Sequence, residues 1–567
     1  MMYTVFSAAI QIGIAVYLWW AIETLWDAWR QDPESNKSKE KEEEASPPRW
    51  KSFFKNSDVH DVGRYTLLFL FAAVLFRFIA PETANHFFFK LIYLNIFNLI
   101  PLTVGFAFIY GGYLMKKQGR RESMGVLHVL LGCIVFICGP LLFEYMTKWR
   151  VYKEYQPATF EGSLNVDAVK ARYTPFVVAH QEMFSSFGSS EFTIEIERTN
   201  AMNLNNGFGY LSPAIPEEGW FTFSKETDGF ALYDDNPGTP NGDRYSRVES
   251  PQKYGEGMLI RDAIERQLLW HDFWAEYPEI LYLQLNPKDK KDIRAVVPRI
   301  KYKISFPFGF VPYLEGAMLF TKEGDFHREM SQAEVMKSEL LKNQPIVPAA
   351  FVQEVAERQV FAGEGMLGLS IVCHAFRCSN KVEVPTLPGH NQQPYLLRAE
   401  DGTQYKVIMT EPDGGSESIF KMFIWNAFTG EFTHIDYGEN SGMVGPGAAL
   451  ERMKQVKGYN FAEKGQKSSS KFLAVEPIPL PITVDGEVRI VWKGSIIPSN
   501  FSSVSETLLL EADSRALKRL PKRADYYKWA SLPVDKKVFW GDNVETSGIA
   551  EARELVRQAL EILEALE

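Results

Sequence analysis

The stretch FKMFIWNAFTGEFTHIDYG, residues 420–438, sets two apolar runs on either side of Asn426-Ala427-Phe428-Thr429-Gly430-Glu431. It can be read as an active-site segment with Glu431 and His434 as an acid/base pair, or as a β-hairpin. Alternation puts Phe420, Met422 or their neighbours on a buried face, and Gly430 supplies the backbone freedom of a tight connection. Residues three apart in a strand point to opposite faces, so Glu431 and His434 do not converge. The stretch therefore predicts a hairpin, and with it antiparallel sheet.

Working outward, the same alternation recurs over much of the later chain. Strand-like runs are expected in FTIEIERT (192–199), in GWFTFSKETDGFALYD (219–234), and three times over 279–326. Helical SQAEVMKSELLKN and AAFVQEVAERQVFAG follow. Strands then come around 367–377, 395–399, 404–410, 418–426 and 430–436, helical GAALERMKQVKG next, and strands at 472–476, 487–492 and 506–511. Residues 255–275 read as an amphipathic helix.

The first 150 residues differ in kind. Long apolar runs at 5–22, 65–80, 87–114 and 124–146 predict about four transmembrane helices, whereas nothing after residue 150 is comparably apolar. The first reads as a retained helix, because it lacks a charged leading region and a small-residue cleavage site. Lys and Arg number twelve in 30–64 and 116–121, against five on the opposite side: Arg77, Lys90, Lys148, Arg150 and Lys153. That asymmetry predicts both basic loops in the cytoplasm, with the N-terminus and the large C-terminal region outside a cytoplasmic (inner) membrane. The run ESNKSKEKEEEASPP reads as a solvated tether within 31–50.

Outside that membrane, Cys373 and Cys378 in CHAFRC suit a disulfide across a short loop, or two buried thiols. Cys133 and Cys138 fall in the fourth apolar run and read as small packing residues.

Three stretches, VVPRIKYKISFPFGFVPYLEGAMLF (296–320), GTQYKVIMTEPDGGSESIFKMFIWNAFTGEFTHID (402–436) and VRIVWKGSIIPSNFSSVSETLLLEADSRAL (488–517), carry the final observation on fold. Together they resemble the repeated sheet-plus-helix units of large bacterial multi-pass membrane proteins with PepSY or cystatin-like extracytoplasmic repeats. The resemblance implies an extracytoplasmic interaction or regulatory module and supplies no catalytic residue.

Enzyme signatures fail on context. GEGMLG (363–368) has the glycine spacing of a dinucleotide loop, but a helical segment precedes it and a strand-like one follows, the reverse of what pyrophosphate binding needs. A Gly-Lys-Ser/Thr phosphate loop, a Gly-x-Ser-x-Gly elbow and a His-Glu-x-x-His helix are absent from the sequence. Asp234, Asp235, Asn236, Asn241 and Asp243 miss the ligand order of a calcium loop and read as a surface turn. His86 and His128 read as interfacial and packing residues rather than haem ligands, and Glu144 as a side chain reaching water rather than an ion path. A net charge of −10 excludes a nucleic-acid-binding role.

Near the C-terminus, Ile549, Leu555, Val556, Leu560, Leu563 and Leu566 form one apolar stripe, which suits packing on its own domain, docking into a partner, or self-association.

The expectation is an α-helical transmembrane domain at 1–150 followed by an α+β extracytoplasmic region of antiparallel sheets packed with helices. Its parts are a first lobe at 151–275, a sheet-plus-helix unit at 276–345, PepSY-like units at 346–520 and a C-terminal segment at 521–567. The expected role is a non-enzymatic binding or assembly protein, a subunit or scaffold of a membrane or envelope complex. Its expected partners are the lipid bilayer and other membrane or envelope proteins, with no cofactor and no metal. A transmembrane sensor and an enzyme with a site not encoded in motifs are the alternatives.

Overall fold

The computed structural model describes residues 57–117, 122–187, 191–204, 207–216, 226–240, 243–258, 262–286, 289, 291–305, 309–325, 327–361, 382–387, 393–412, 417–438, 441–462 and 470–537. The helices used below are α1 (Ser57–Ile79), α2 (Ile96–Lys117), α3 (Glu122–Glu154), α4 (Phe176–Phe187), α5 (Ile264–His271), α6 (Gln332–Lys337), α7 (Ala349–Glu357), α8 (Pro446–Lys454) and α9 (Arg523–Ala530). The chain divides into two compact units, one of which joins the residues before Val151 with Glu265–Glu276 and Lys301–Tyr313.

In that unit, two helical stretches among the described residues are long and apolar enough to cross a membrane, Ile96–Lys116 and Met124–Glu154, while the apolar part of α1, Thr66–Ile79, is shorter. The run expected as one span over 87–114 is broken: a π-helix, Asn85–Tyr93, ends at a turn before α2 begins. The turn is held by side chains, with Asn95 Nδ2 donating to the Lys90 carbonyl at 2.8 Å and Asn98 Nδ2 donating to Asn95 Oδ1 at 3.1 Å. Both asparagines are polar residues within the otherwise apolar run 87–114. The span expected at 5–22 lies outside the described residues.

Close backbone approach of α2 and α3 rests on glycines seven residues apart, Gly105 and Gly112 on one helix and Gly125, Gly132 and Gly139 on the other. A Cβ added to Gly132 would lie 2.7 Å from the Ile109 nitrogen, and one on Gly105 2.7 Å from the Phe136 nitrogen. Only hydrogen fits there, so the seam is set by the smallest side chain, as is common where packing rather than the hydrophobic effect must hold apolar helices together. Away from the seam, Leu67, Leu68, Phe71, Ile134 and Ile137 are exposed.

The other unit is mixed α/β with antiparallel sheets. In chain order the first sheet contains β1 (Asn200–Leu204), β2 (Gly207–Pro213), β3 (Phe230–Asp234) and β4 (Tyr245–Val248), each paired with the next. The second contains β5 (Leu281–Gln284), β6 (Ile293–Ser305), β7 (Gly309–Phe320) and β8 (His327–Ser331), also in sequential order, with the end of β6 and the start of β7, inside Lys301–Tyr313, counted in the first unit. The third is built on β9 (Tyr395–Arg398), β10 (Gln404–Pro412), β11 (Lys421–Asn426) and β12 (Phe432–Asp436), extended by the short strands Ala158–Thr159 and Val382–Glu383. The fourth is β13 (Phe472–Val484), β14 (Glu487–Pro498), β15 (Glu506–Glu511) and β16 (Leu517–Leu520).

The hairpin read from 420–438 is β11–β12, with Met422 opposite Ile435 and Trp425 opposite Phe432. Its turn follows from Asn426, whose Oδ1 accepts the amides of Phe428 (3.0 Å) and Thr429 (2.9 Å), and from Gly430 at φ +80°. Both faces of β11 are buried, not one. Met422 and Ile424 join the main core, and Trp425 stacks on Phe432 at 4.0 Å. That core also takes Leu480, Trp492 and Leu508 from the fourth sheet and Leu450 and Met453 from α8.

Prolines also explain the edge of the fourth sheet. Pro479 and Pro481 lie two apart on β13, so both missing N–H groups face away from β14. The outward Pro481 carbonyl accepts the Val166 amide at 3.2 Å.

Two helical expectations and one strand shorten. The helix over 255–275 is only α5, because Gly255 and Gly257 (φ +71°) hold a loop closed by Gly255 and Ile264 backbone bonds. The helix begun by SQAEVMKSELLKN is only α6; Ser331 and Glu334 cap its start reciprocally, but the chain turns away after Lys337. FTIEIERT is a strand only at Phe192–Thr193, and Ile196–Arg198 forms a 3-10 turn held by Arg198 Nε donating to Glu195 (2.7 Å). The strand around 367–377 lies outside the described residues.

Candidate functional site

Charged residues buried inside a fold mark either a site or a lock, and the second unit contains such a cluster around residues 172–176. Asp235, directly after β3 and 2% exposed, accepts the amides of Tyr173 (2.7 Å) and Thr174 (2.8 Å) and the Thr174 hydroxyl (2.6 Å). Arg523, in the first turn of α9, pairs with it at 3.4 Å. Glu476 sits where β13 shifts register, at φ +53°; it accepts the Phe176 amide (2.8 Å) and pairs with Arg172 at 3.0 Å. Lys493, fully buried on β14, donates to the carbonyls of Tyr173 (2.6 Å) and Arg172 (3.1 Å). Asp235, Glu476 and Lys493 all grip the backbone of residues 172–176, the lead-in to α4, while Arg523 donates to the carbonyls of Asp235 and Asn236.

Burial pulls the Lys493 ammonium down to about 8, opposed in part by Glu476. Burial pulls hardest on the Arg172 guanidinium, but Glu476, Tyr210 and Asp235 together outweigh that and hold it above the ordinary range. The phenols of Tyr210 and Tyr526 are pushed well up by burial. A lysine near neutrality has the chemistry of a nucleophile or base, yet the space beside Arg172, between Leu397, Gln404 and Leu480, is about 10 Å³. That is too small for more than a single water, so the arrangement is a lock closed on a polar backbone segment.

Open space lies elsewhere on the same unit, along residues 441–445. This segment is stitched to two sheets: the Ile419 amide donates to the Met443 carbonyl (2.9 Å), the Val444 amide to Ala512 (2.9 Å), and the Trp492 indole to the Val444 carbonyl (2.7 Å). One concavity of about 540 Å³ is rimmed by Glu417, Glu451, Arg452 and Arg515. A second, of about 470 Å³, is rimmed by Asp436, Glu487, Arg489 and Asp513. Met443 lines both, so they adjoin.

Three carboxyl groups of this unit, of which Asp513 lines the second concavity, titrate high. Burial pushes Glu411 up to about 7, with Glu417 adding to the rise while the Gly447 amide in the first turn of α8 opposes it. Burial likewise raises Asp513, against the pull of Arg489, and Glu511, against its bond from Ser514.

Other sequence candidates fall as follows. Glu431 precedes β12, and His434 on that strand places Nδ1 3.2 Å from the Ala158 carbonyl, so each is accounted for within the hairpin and its neighbour strand. His128 Nδ1 lies 2.8 Å from the Met124 carbonyl one turn earlier, and Glu144 pairs with Lys148 at 2.6 Å. Cys133 and Cys138 are unpaired thiols in α3. Among the described residues no group of three or more His, Cys, Asp or Glu is placed to hold a metal. The surface-turn reading of 234–243 needs one correction: Asp234 does organise the turn, accepting the Asn236 amide at 3.0 Å, but Asp235 points inward as the centre of the lock. Cys373, Cys378 and the stripe Ile549, Leu555, Val556, Leu560, Leu563 and Leu566 lie outside the described residues, as does GEGMLG.

The sequence reading passed over the lock altogether. Its signal was available: Glu476 in FLAVEPIPLPIT and Lys493 in IVWKGSII are single charges of opposite sign within apolar runs.

The chain matches no described protein family, no curated protein and no solved structure.

Proposed function

We propose that this chain is a membrane-anchored, non-enzymatic binding or assembly protein whose outer groove takes a segment of a partner protein. The observation that carries the reading is the pair of adjoining concavities around Met443, open, large enough for several side chains, and rimmed by both acids and bases. Such a rim suits a polypeptide carrying both signs of charge, with electrostatics selecting the partner and its register. α2 and α3 supply the anchor, and the exposed apolar residues on α1 and α3 support contact with lipid, where they cost nothing, over contact with water. The Lys/Arg asymmetry supports basic loops in the cytoplasm and the groove outside. The packing of α8 against β13 and β14 supports the PepSY-like resemblance, since a helix laid on antiparallel sheet is the unit it implies.

The test is gentle detergent extraction from native membranes and mass spectrometry of what co-purifies, alongside an Arg452→Glu, Arg515→Glu variant. The expected result is a stoichiometric partner set with the native chain and its loss with the variant, at unchanged membrane content. Purification as a lone species overturns the assembly reading and turns attention to a sensor or an enzyme.

A further inference from the structure

The segments Glu265–Glu276 and Lys301–Tyr313 pack with the N-terminal helices at the end away from Lys116 and Glu122. Three layers succeed one another there. The first is the exposed apolar surface of α3, including Ile134 and Ile137. Next comes a ring cluster: Phe89 against Trp274 (6.0 Å) and Tyr302 (5.9 Å), and Phe310 against Tyr93 (5.1 Å) and Phe97 (5.2 Å). The third is charged, with Lys90–Glu276 at 2.7 Å, Lys301–Asp272 at 3.0 Å and Arg266–Glu82 at 3.1 Å.

Apolar, aromatic, charged is the order in which a bilayer boundary selects side chains, because rings with one wet edge suit the headgroup level. Two residues at this level turn outward: Trp274, 49% exposed, and Ile304, 64% exposed. Ile304 lies between Tyr302, on the ring cluster, and Gly309, which abuts Thr147 of α3. Tyr302–Ser305 close β6 and Gly309–Phe310 open its hydrogen-bonded neighbour β7, and a backbone paired between strands can enter a poorly hydrated zone at small cost.

We infer that Trp274 and Ile304 form an interfacial foot that rests in the outer headgroup region of the bilayer, a contact of the chain with lipid additional to its spans. The inference rests on the membrane reading above and deepens it.

The experiment uses the full chain in phosphatidylcholine nanodiscs, its native cysteines replaced by alanine, spin-labelled at Ile304→Cys, at Ile137→Cys on α3, or at Asp485→Cys in the β13–β14 turn. All three positions are exposed, so labelling removes no packing. Collision with oxygen, which concentrates in lipid, is compared with collision with a water-soluble nickel chelate. The expected oxygen-to-nickel ratio is highest at 137, lowest at 485, and several-fold above 485 at 304. A ratio at 304 equal to that at 485 overturns the foot while leaving the anchor, and so does a label at 304 reached by neither agent, which means protein covers it. A nickel-accessible label at 137 overturns the membrane reading itself.

Discussion

Replacing Asp235 by alanine tests the physical account of the outer unit most directly. The side chain is wholly buried, accepts two amides and a hydroxyl from residues 173–174, and faces Arg523. Removal leaves two amides without an acceptor and a guanidinium without its counter-charge. Breaking a buried pair by deleting one partner costs roughly 3–5 kcal/mol, and hydrogen bonds to a charged acceptor are worth about 1.5–3 kcal/mol each, not additively. About 4 kcal/mol is therefore expected for Asp235→Ala. Asp235→Asn keeps one oxygen for the two amides and loses mainly the charge facing Arg523, so roughly half that loss is expected. At about 2 °C per kcal/mol for a large domain, the alanine variant should unfold roughly 8 °C lower. The assay is thermal unfolding of the full chain in detergent, followed by near-UV circular dichroism, with hydrogen exchange read at residues 172–176. If the alanine variant melts within a degree of the native chain and the amides of Tyr173 and Thr174 stay protected, the lock contributes nothing and the reasoning fails.

Gly132→Leu should separate α2 from α3, since even a Cβ there would meet Ile109 at 2.7 Å; loss of a disulfide crosslink engineered across the seam, with the chain still in the membrane, is the readout. Glu411, held up to about 7 by burial, keeps its proton in the folded state at pH values where the unfolded chain has lost it. Stability should therefore fall as pH rises from about 4.5 to 7, and Glu411→Gln should flatten that slope in melting curves taken across the range; an unchanged slope rejects the assignment. Lys493 works in the opposite window: its folded-state value near 8 lies below that of the unfolded chain, so melting temperature should rise between pH 8 and about 10.5, and Lys493→Met should abolish that rise. Cys373 and Cys378 should resist alkylation unless reductant is added, and quantitative labelling of both in the native protein would remove the disulfide.

What the sequence determined by itself was local in origin. Period-two alternation placed β9 to β12 to within three residues at each end, and Asn426 with Gly430 specified the turn between β11 and β12 without help from the rest of the chain. Apolar runs of sufficient length likewise marked α2 and α3, because the requirement for about 20 apolar residues depends on composition alone. Glycines at seven-residue spacing were legible too and went unread.

Tertiary structure decided the rest. Met422 and Phe423 alternate like a half-buried strand, and only the neighbouring elements bury both faces. Asp235 reads as one more acid in a polar turn until residues 173–174, some 60 positions earlier, bring it their amides. Lys493 and Glu476 are odd charges in apolar runs whose partner, the backbone of 172–176, lies about 300 positions away. Local sequence fixes which backbone conformations are cheap, but a buried charge is tolerable only where distant groups satisfy it, and that choice of partners exists only once the chain has closed on itself.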